Sequence, residues 1–132
     1  MQVFKFGGAS VKDADAVRNV CNIIRGYESN QLVVVVSAMG KTTNALELVV
    51  QARFSANDIP TAKQYLQEVR DFHHKIAAEL FVDKSNPVFD RMNNVFVEIE
   101  WCLDDDISKG YDFIYDQVVS SGELLSTIIV HE

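Results

Sequence analysis

An α/β fold that is helix-rich after a single N-terminal βαβ unit is the architecture this sequence predicts. Three observations carry it. Val3-Phe4-Lys5-Phe6 and Leu32-Val33-Val34-Val35-Val36 are the only strand-like runs, one amphipathic helical pattern separates them, and three-and-four apolar spacing fills most of the chain after Ala45.

The first strand runs into Gly7-Gly8-Ala9-Ser10. Two residues without Cβ let the backbone bend sharply and bring its N–H groups close to an anion. Ser10-Val11-Lys12-Asp13 has the spacing of a capping box, which predicts a helix opening at Ser10, with Val17, Val20, Cys21 and Ile24 on its apolar face. The positive end of that helix then points at the glycines, and Lys5 stands near enough to reach a phosphate held there. An ordinary strand-to-helix turn beside a surface lysine is the alternative reading of the same residues.

After the polar stretch from Gly26 to Gln31, Leu32 to Val36 reads as a strand buried on both faces, the mark of a parallel sheet. The crossover between the two strands is expected to be right-handed. Ala45 to Arg53 forms a short helix. Ala62, Tyr65, Leu66, Val69, His73, Ile76, Ala77 and Leu80 form the long seam of the next. Asn86-Pro87 is a cap followed by proline at the first helical position, and Phe89, Met92, Phe96, Ile99 and Leu103 make a further seam. Gly110 ends the connection to a last helix, which carries Phe113, Ile114 and Val118 and continues through Ser120-Ser121-Gly122-Glu123 into an apolar end.

Composition narrows the function. The 132 residues are 48% apolar and carry a net charge of −7, which suits a packed domain and disfavours nucleic acid or an anionic membrane as partner. No apolar run reaches the eighteen or so residues of a membrane span, and a strand occupies the place of a signal peptide. Cys21 and Cys102 lie in helical patterns without metal-ligand spacing, which points to buried thiols in a reducing, cytoplasmic setting. Two parallel strands do not make a stable sheet alone, and the C-terminal apolar pattern stops without a helix-ending signal. The chain is therefore expected to be an N-terminal piece of a larger enzyme, with exposed apolar surface and a tendency to self-associate.

Three segments carry candidate chemistry. Besides the glycine loop, Ser37-Ala38-Met39-Gly40-Lys41-Thr42-Thr43-Asn44 follows the second strand, where ligands gather in open parallel sheets. Gly40-Lys41-Thr42 imitates the tail of a nucleoside-triphosphate P-loop, but that motif needs glycine where Val35 stands, so the P-loop reading fails. What remains is a small-polar loop suited to a small metabolite, or a plain helix cap built by Thr43 or Asn44. In Ser120-Ser121-Gly122-Glu123, the glycine marks a close approach and Glu123 a partner for an ammonium group, or else a surface glutamate at a helix break. His73 is expected to be a core histidine, Asp104-Asp105-Asp106 a solvated helix end, and Trp101 and the phenylalanines packing residues.

Taken together, Lys5-Phe6-Gly7-Gly8-Ala9-Ser10, the loop from Ser37 to Asn44 and Ser121-Gly122-Glu123-Leu124-Leu125-Ser126-Thr127 resemble the N-terminal part of the aspartokinases. That resemblance spans residues 1 to 132 and implies a three-layer α/β/α amino acid kinase (carbamate kinase-like) fold. It implies transfer of the ATP γ-phosphoryl group to the β-carboxylate of L-aspartate, giving 4-phospho-L-aspartate. This step leads to lysine, threonine, methionine and diaminopimelate. ATP and Mg²⁺ are the implied cofactors and aspartate the partner, in a cytoplasmic homo-oligomer. By the same resemblance, Lys5 neutralises charge on the moving phosphoryl group, Phe6, Gly7, Gly8 and Ser10 form the ATP-phosphate site, and Ser37, Thr43 and Glu123 bind aspartate, with no protein metal ligand. Ala9 stands where many members have threonine. The family's second-half strands, the aspartate that orders its lysines, its arginine for the α-carboxylate, its adenine pocket and its ACT domains have no counterpart here, so the chain alone is expected to be inactive. Two rivals remain: a kinase of the same fold for another acidic metabolite, and a non-catalytic helical interaction module.

Overall fold

The computed structural model describes residues 1–27, 31–105 and 109–132. Its elements are β1 (Gln2–Phe6), a 3-10 turn (Gly8–Val11), α1 (Ala14–Arg25), β2 (Leu32–Val36), α2 (Thr42–Phe54), α3 (Ile59–Leu80), α4 (Pro87–Asp104), α5 (Tyr111–Val119) and α6 (Ser121–His131). The two strands pair in parallel, Gln2 against Leu32 through Phe6 against Val36. One further bond, from Ser37 N–H to the Phe6 carbonyl at 3.0 Å, carries the ladder into the loop beyond β2.

The expected helix start at Ser10 is corrected. Ser10 N–H bonds to the Gly7 carbonyl at 2.9 Å, closing a tight turn that buries Val11 completely, and α1 begins only at Ala14. The cap is Asp13, whose carboxylate accepts from Ala16 N–H at 2.8 Å. Strand β2 departs from expectation too. Its exposure alternates, with Val33 at 45% and Val35 at 43%, and Val3 and Lys5 of β1 are exposed in the same register. One face of the sheet is therefore open, while Phe6 on the other packs against the core.

Helices α3 and α4 follow their sequence seams. Ala62, Leu66, Val69, His73, Ile76 and Ala77 are buried on α3, with Tyr65 and Leu80 half-buried at its margins. On α4, Val88, Met92, Val95, Phe96, Ile99 and Leu103 are buried. Each buried side chain of this size contributes about 1.5–3 kcal/mol against its exposed state. Asn86 caps α4 by accepting from Val88 N–H at 2.8 Å, with Pro87 in the first turn as expected. Helix α2 runs alongside α3 and touches α5, and α4 contacts α3, α5 and α6.

The last helix is two helices. Ser120 between them stays in the right-handed helical region at φ −64°, ψ −17°, so the division falls at a residue whose own backbone is helical. Trp101, expected to pack, is 68% exposed, and Phe113 is 48% exposed. The thiols of Cys21 and Cys102 are free and half-buried. Asp104 pairs with Lys63 and Asp105 with Lys109, both at 2.9 Å, as befits a solvated helix end; Asp106 lies outside the described residues, as do 28–30 of the polar connection before β2.

Candidate functional site

The three motif segments meet. Parallel pairing sets the ends of β1 and β2 side by side, so the glycine loop and the Ser37–Asn44 loop leave the same edge of the sheet. They are then tied directly, Gly40 N–H donating to the Gly8 carbonyl at 3.0 Å. Gly8 is glycine for space: a Cβ there would stand 2.8 Å from both the Ala38 and the Gly40 carbonyl oxygens. Gly7 has the opposite character. No heavy atom lies within 4 Å of where its Cβ would be, so this loop residue faces open space.

Gly40 adopts φ +56°, the left-handed region where a side chain is strained, and this turns the chain into α2. Thr42 closes the turn from within, its buried hydroxyl donating to the Met39 carbonyl at 2.6 Å. The expected cap by Thr43 or Asn44 is corrected: Lys41 occupies the cap position without a side-chain bond, and Thr43 and Asn44 belong to the first turn of α2. Thr43, in that first turn, and Ser37, at the start of the loop, are both half-buried.

The third segment arrives on α6. Gly122 is buried against the second loop, where a Cβ would come within 3.0 Å of Ala38 Cβ, 3.3 Å of Thr42 Cγ2 and 3.4 Å of Leu46 Cδ1. Its close approach is to protein. Glu123, next along the first turn, is exposed, and there a carboxylate is also favoured by the helix N-terminus. Lys5 is exposed on β1, and neither its ammonium nor the Glu123 carboxylate forms an ion pair among the described residues. Ser10 is exposed and holds the 3-10 turn through its backbone alone.

An exposed lysine, a glycine loop with open space at Gly7, small hydroxyls and an exposed carboxylate offer complementary charge to a phosphate and to an amino-acid zwitterion. A cavity of about 170 Å³ between α2 and α3, lined by Lys41, Thr42, Ala45, Glu68, Val69 and Phe72, contains none of the sequence-predicted site residues. Among the described residues no group of three or more His, Cys, Asp or Glu is placed to hold a metal. No described helix is long and apolar enough to cross a membrane.

His73 is the core histidine expected, fully buried, with Nδ1 2.7 Å from the Val69 carbonyl and Nε2 without a partner. Burial pushes its pKa down, the Val69 bond opposes that, and His74 adds to the lowering. What sequence reasoning missed is Ala38. It is 4% exposed and touches both Gly8 and Gly122, and an alanine in a polar loop gives no sequence signal of that contact.

Comparison with known proteins follows the same geometry. The profile of the amino acid kinase family matches residues 1–132. The aspartokinase of Chlamydia trachomatis is 30% identical over 130 residues, which is 97% of this chain and 26% of that protein. Aspartokinase 1, chloroplastic, of Arabidopsis thaliana is 34% identical over 84 residues, 63% of this chain and 15% of that protein. The crystal structure of E. coli aspartokinase III in complex with aspartate and ADP superposes with a TM-score of 0.81 at 26% identity, covering 98% of this chain and 28% of that one. The chain thus spans between about a seventh and about a quarter of these relatives' length. The resemblance to the N-terminal part of the aspartokinases, read from three motifs, holds in sequence and in fold.

Proposed function

The chain belongs to the amino acid kinase family, and from that premise we propose that it is the N-terminal portion of an aspartate kinase. The complete protein transfers the γ-phosphoryl group of ATP to the β-carboxylate of L-aspartate. A bond forms between a carboxylate oxygen and phosphorus, the γ-phosphorus to bridging-oxygen bond breaks, and 4-phospho-L-aspartate and ADP leave. This is the first step towards lysine, threonine and methionine. The observation that carries the reading is the Gly40 to Gly8 hydrogen bond, which ties the glycine loop directly to a loop of small hydroxyls.

Phosphoryl transfer asks mainly for positioning and charge stabilisation. Lys5, exposed at the strand end, supplies positive charge to the transferring group, and the backbone at Phe6, Gly7 and Gly8, with Ser10 beyond the turn, lines the phosphates. Ser37 and Thr43 hold aspartate through their hydroxyls, and Glu123 faces its α-ammonium. No carboxylate cluster among the described residues would hold Mg²⁺, so the ion would come bound to the nucleotide, where it would lower repulsion among the phosphate oxygens. The open sheet face with Val3, Val33 and Val35 is where a further layer of the kinase domain packs, and that layer brings the remaining catalytic groups. The 132 residues alone are therefore inactive. The complete protein works in the cytoplasm as a homo-oligomer.

ATP-dependent aspartyl hydroxamate formation by the complete protein tests the reading. Lys5→Ala is expected to lower kcat by about 10²–10³-fold, the usual loss on removing a group that stabilises transition-state charge. Glu123→Gln raises KM for aspartate and spares KM for ATP. Turnover of glutamate or acetylglutamate in place of aspartate refutes the substrate assignment.

A further inference from the structure

We infer that Ala38 is the contact on which the nucleotide loop, the acceptor loop and α6 are clamped together, with Gly8 and Gly122 as positioning residues. The inference rests on the kinase reading above and deepens it. Neither glycine is needed for a left-handed backbone, since among the described glycines only Gly40 and Gly110 have positive φ. Gly8 has no room for a Cβ at all, and at Gly122 a Cβ would press on the Ala38 methyl at 3.0 Å.

The two contacts differ in kind. At Gly8 the neighbours are the Ala38 and Gly40 carbonyl oxygens, each at 2.8 Å, and backbone atoms have no rotamer through which to yield. At Gly122 the closest neighbour is the Ala38 methyl at 3.0 Å, followed by the ends of the Thr42 and Leu46 side chains. Gly122 precedes Glu123, and Ala38 and Thr42 adjoin Ser37 and Thr43. Pushing α6 away from Ala38 therefore separates Glu123 from the hydroxyls that share its ligand. Forcing Gly8 outward breaks the Gly40 bond and moves the phosphate loop against the acceptor loop. In a site that works by alignment, even a small displacement of this kind is costly.

The difference makes the clamp testable in the complete protein. Gly122→Ala is expected to raise KM for aspartate about tenfold, with KM for ATP changed less than about twofold. Adding Ala38→Gly removes the methyl it collides with, and is expected to restore most of the lost affinity. Gly8→Ala raises both KM values, and Ala38→Gly does not rescue it, because the obstruction is carbonyl oxygen.

Melting temperature without substrate gives the second readout. An unconstrained helical glycine changed to alanine raises the melting temperature, so the clamp predicts a lowered one for Gly122→Ala and recovery in the double variant. Should Gly122→Ala fail to fold, refolding of the double variant supports the clamp and its failure overturns it. Unchanged KM and a raised melting temperature in Gly122→Ala overturn it, as does equal rescue of Gly8→Ala by Ala38→Gly. If the wild type does not phosphorylate aspartate, the functional reading falls, while the melting-temperature pattern still decides the clamp.

Discussion

Replacing Arg53 with methionine removes the most heavily used buried cation in the chain while keeping its apolar stem. Arg53 is 6% exposed at the end of α2. Its Nε donates to the Leu103 carbonyl at 2.6 Å, one terminal nitrogen to Asn57 Oδ1 at 3.0 Å, and the other to the Asp105 carbonyl at 3.3 Å. Leu103 lies in the last turn of α4, so its carbonyl has no intrahelical donor, and it is buried. Losing its charged donor costs about 1–3 kcal/mol for the stranded acceptor, whereas Asn57 and Asp105 are exposed and turn to water. Relief of guanidinium desolvation offsets part of the loss. The net is about 1–2 kcal/mol, or a fall of roughly 3–10 °C in melting temperature for a domain of this size. Thermal unfolding followed by circular dichroism measures it, in low and high salt. The shift is expected to persist in high salt, because the donor is buried and its partners are carbonyls and an amide. A melting temperature within 2 °C of wild type refutes the reasoning, since Leu103 would then be satisfied without Arg53.

His73 sets an acid limit on stability. Its pKa lies below the ordinary value of 6.5 because burial disfavours the imidazolium, so below about pH 6.5 the unfolded chain binds a proton that the folded one refuses. Stability is full above that pH and falls as pH drops, by at most about 1.4 kcal/mol per unit until the folded-state pKa is reached. His73→Phe, beside Phe72 and Phe96, is expected to flatten the melting-temperature profile between pH 5 and 7; an undiminished slope places the effect on another group. Ser126→Ala removes a fully buried hydroxyl with no partner among the described residues and is expected to stabilise by about 1 kcal/mol. Chemical denaturation checks it, and a loss of that size would mean the hydroxyl is bonded after all.

The helices were legible wherever one element's own pattern decided the outcome. The α3 seam and the Asn86-Pro87 start depend on local spacing and local capping, and both stand as expected. The start of α1 is different, because two caps compete within four residues. Gly8 must fit under the Gly40 and Ala38 carbonyls, which tightens the chain into a 3-10 turn, buries Val11, and leaves Asp13 to cap. Ser10 lost through a tertiary contact that no local window contains. The valines of β2 likewise report affinity for a sheet interior, and not which face this chain fills. Arg53 gave no signal, since an arginine near a helix C-terminus ordinarily reads as a solvated partner of the helix dipole.

At the site, the residues with distinctive chemistry were readable and those that space them were not. Lys5, Ser37, Thr43 and Glu123 announce charge and hydroxyl by their type, and the fold brings their segments to one edge of the sheet. Gly8 and Gly122 announce only the absence of a side chain, which suits a phosphate, a bend or a neighbour equally well. The structure separates these uses: Gly7 faces open space, Gly8 meets backbone oxygen, and Gly122 meets a methyl. Of the paired glycines in the first loop, Gly7 therefore has room for a side chain and Gly8 is held against the loop beside it. The same distinction separates Gly8 from Gly122, since Gly122 meets a methyl whose removal can compensate and Gly8 meets backbone oxygen that no substitution removes.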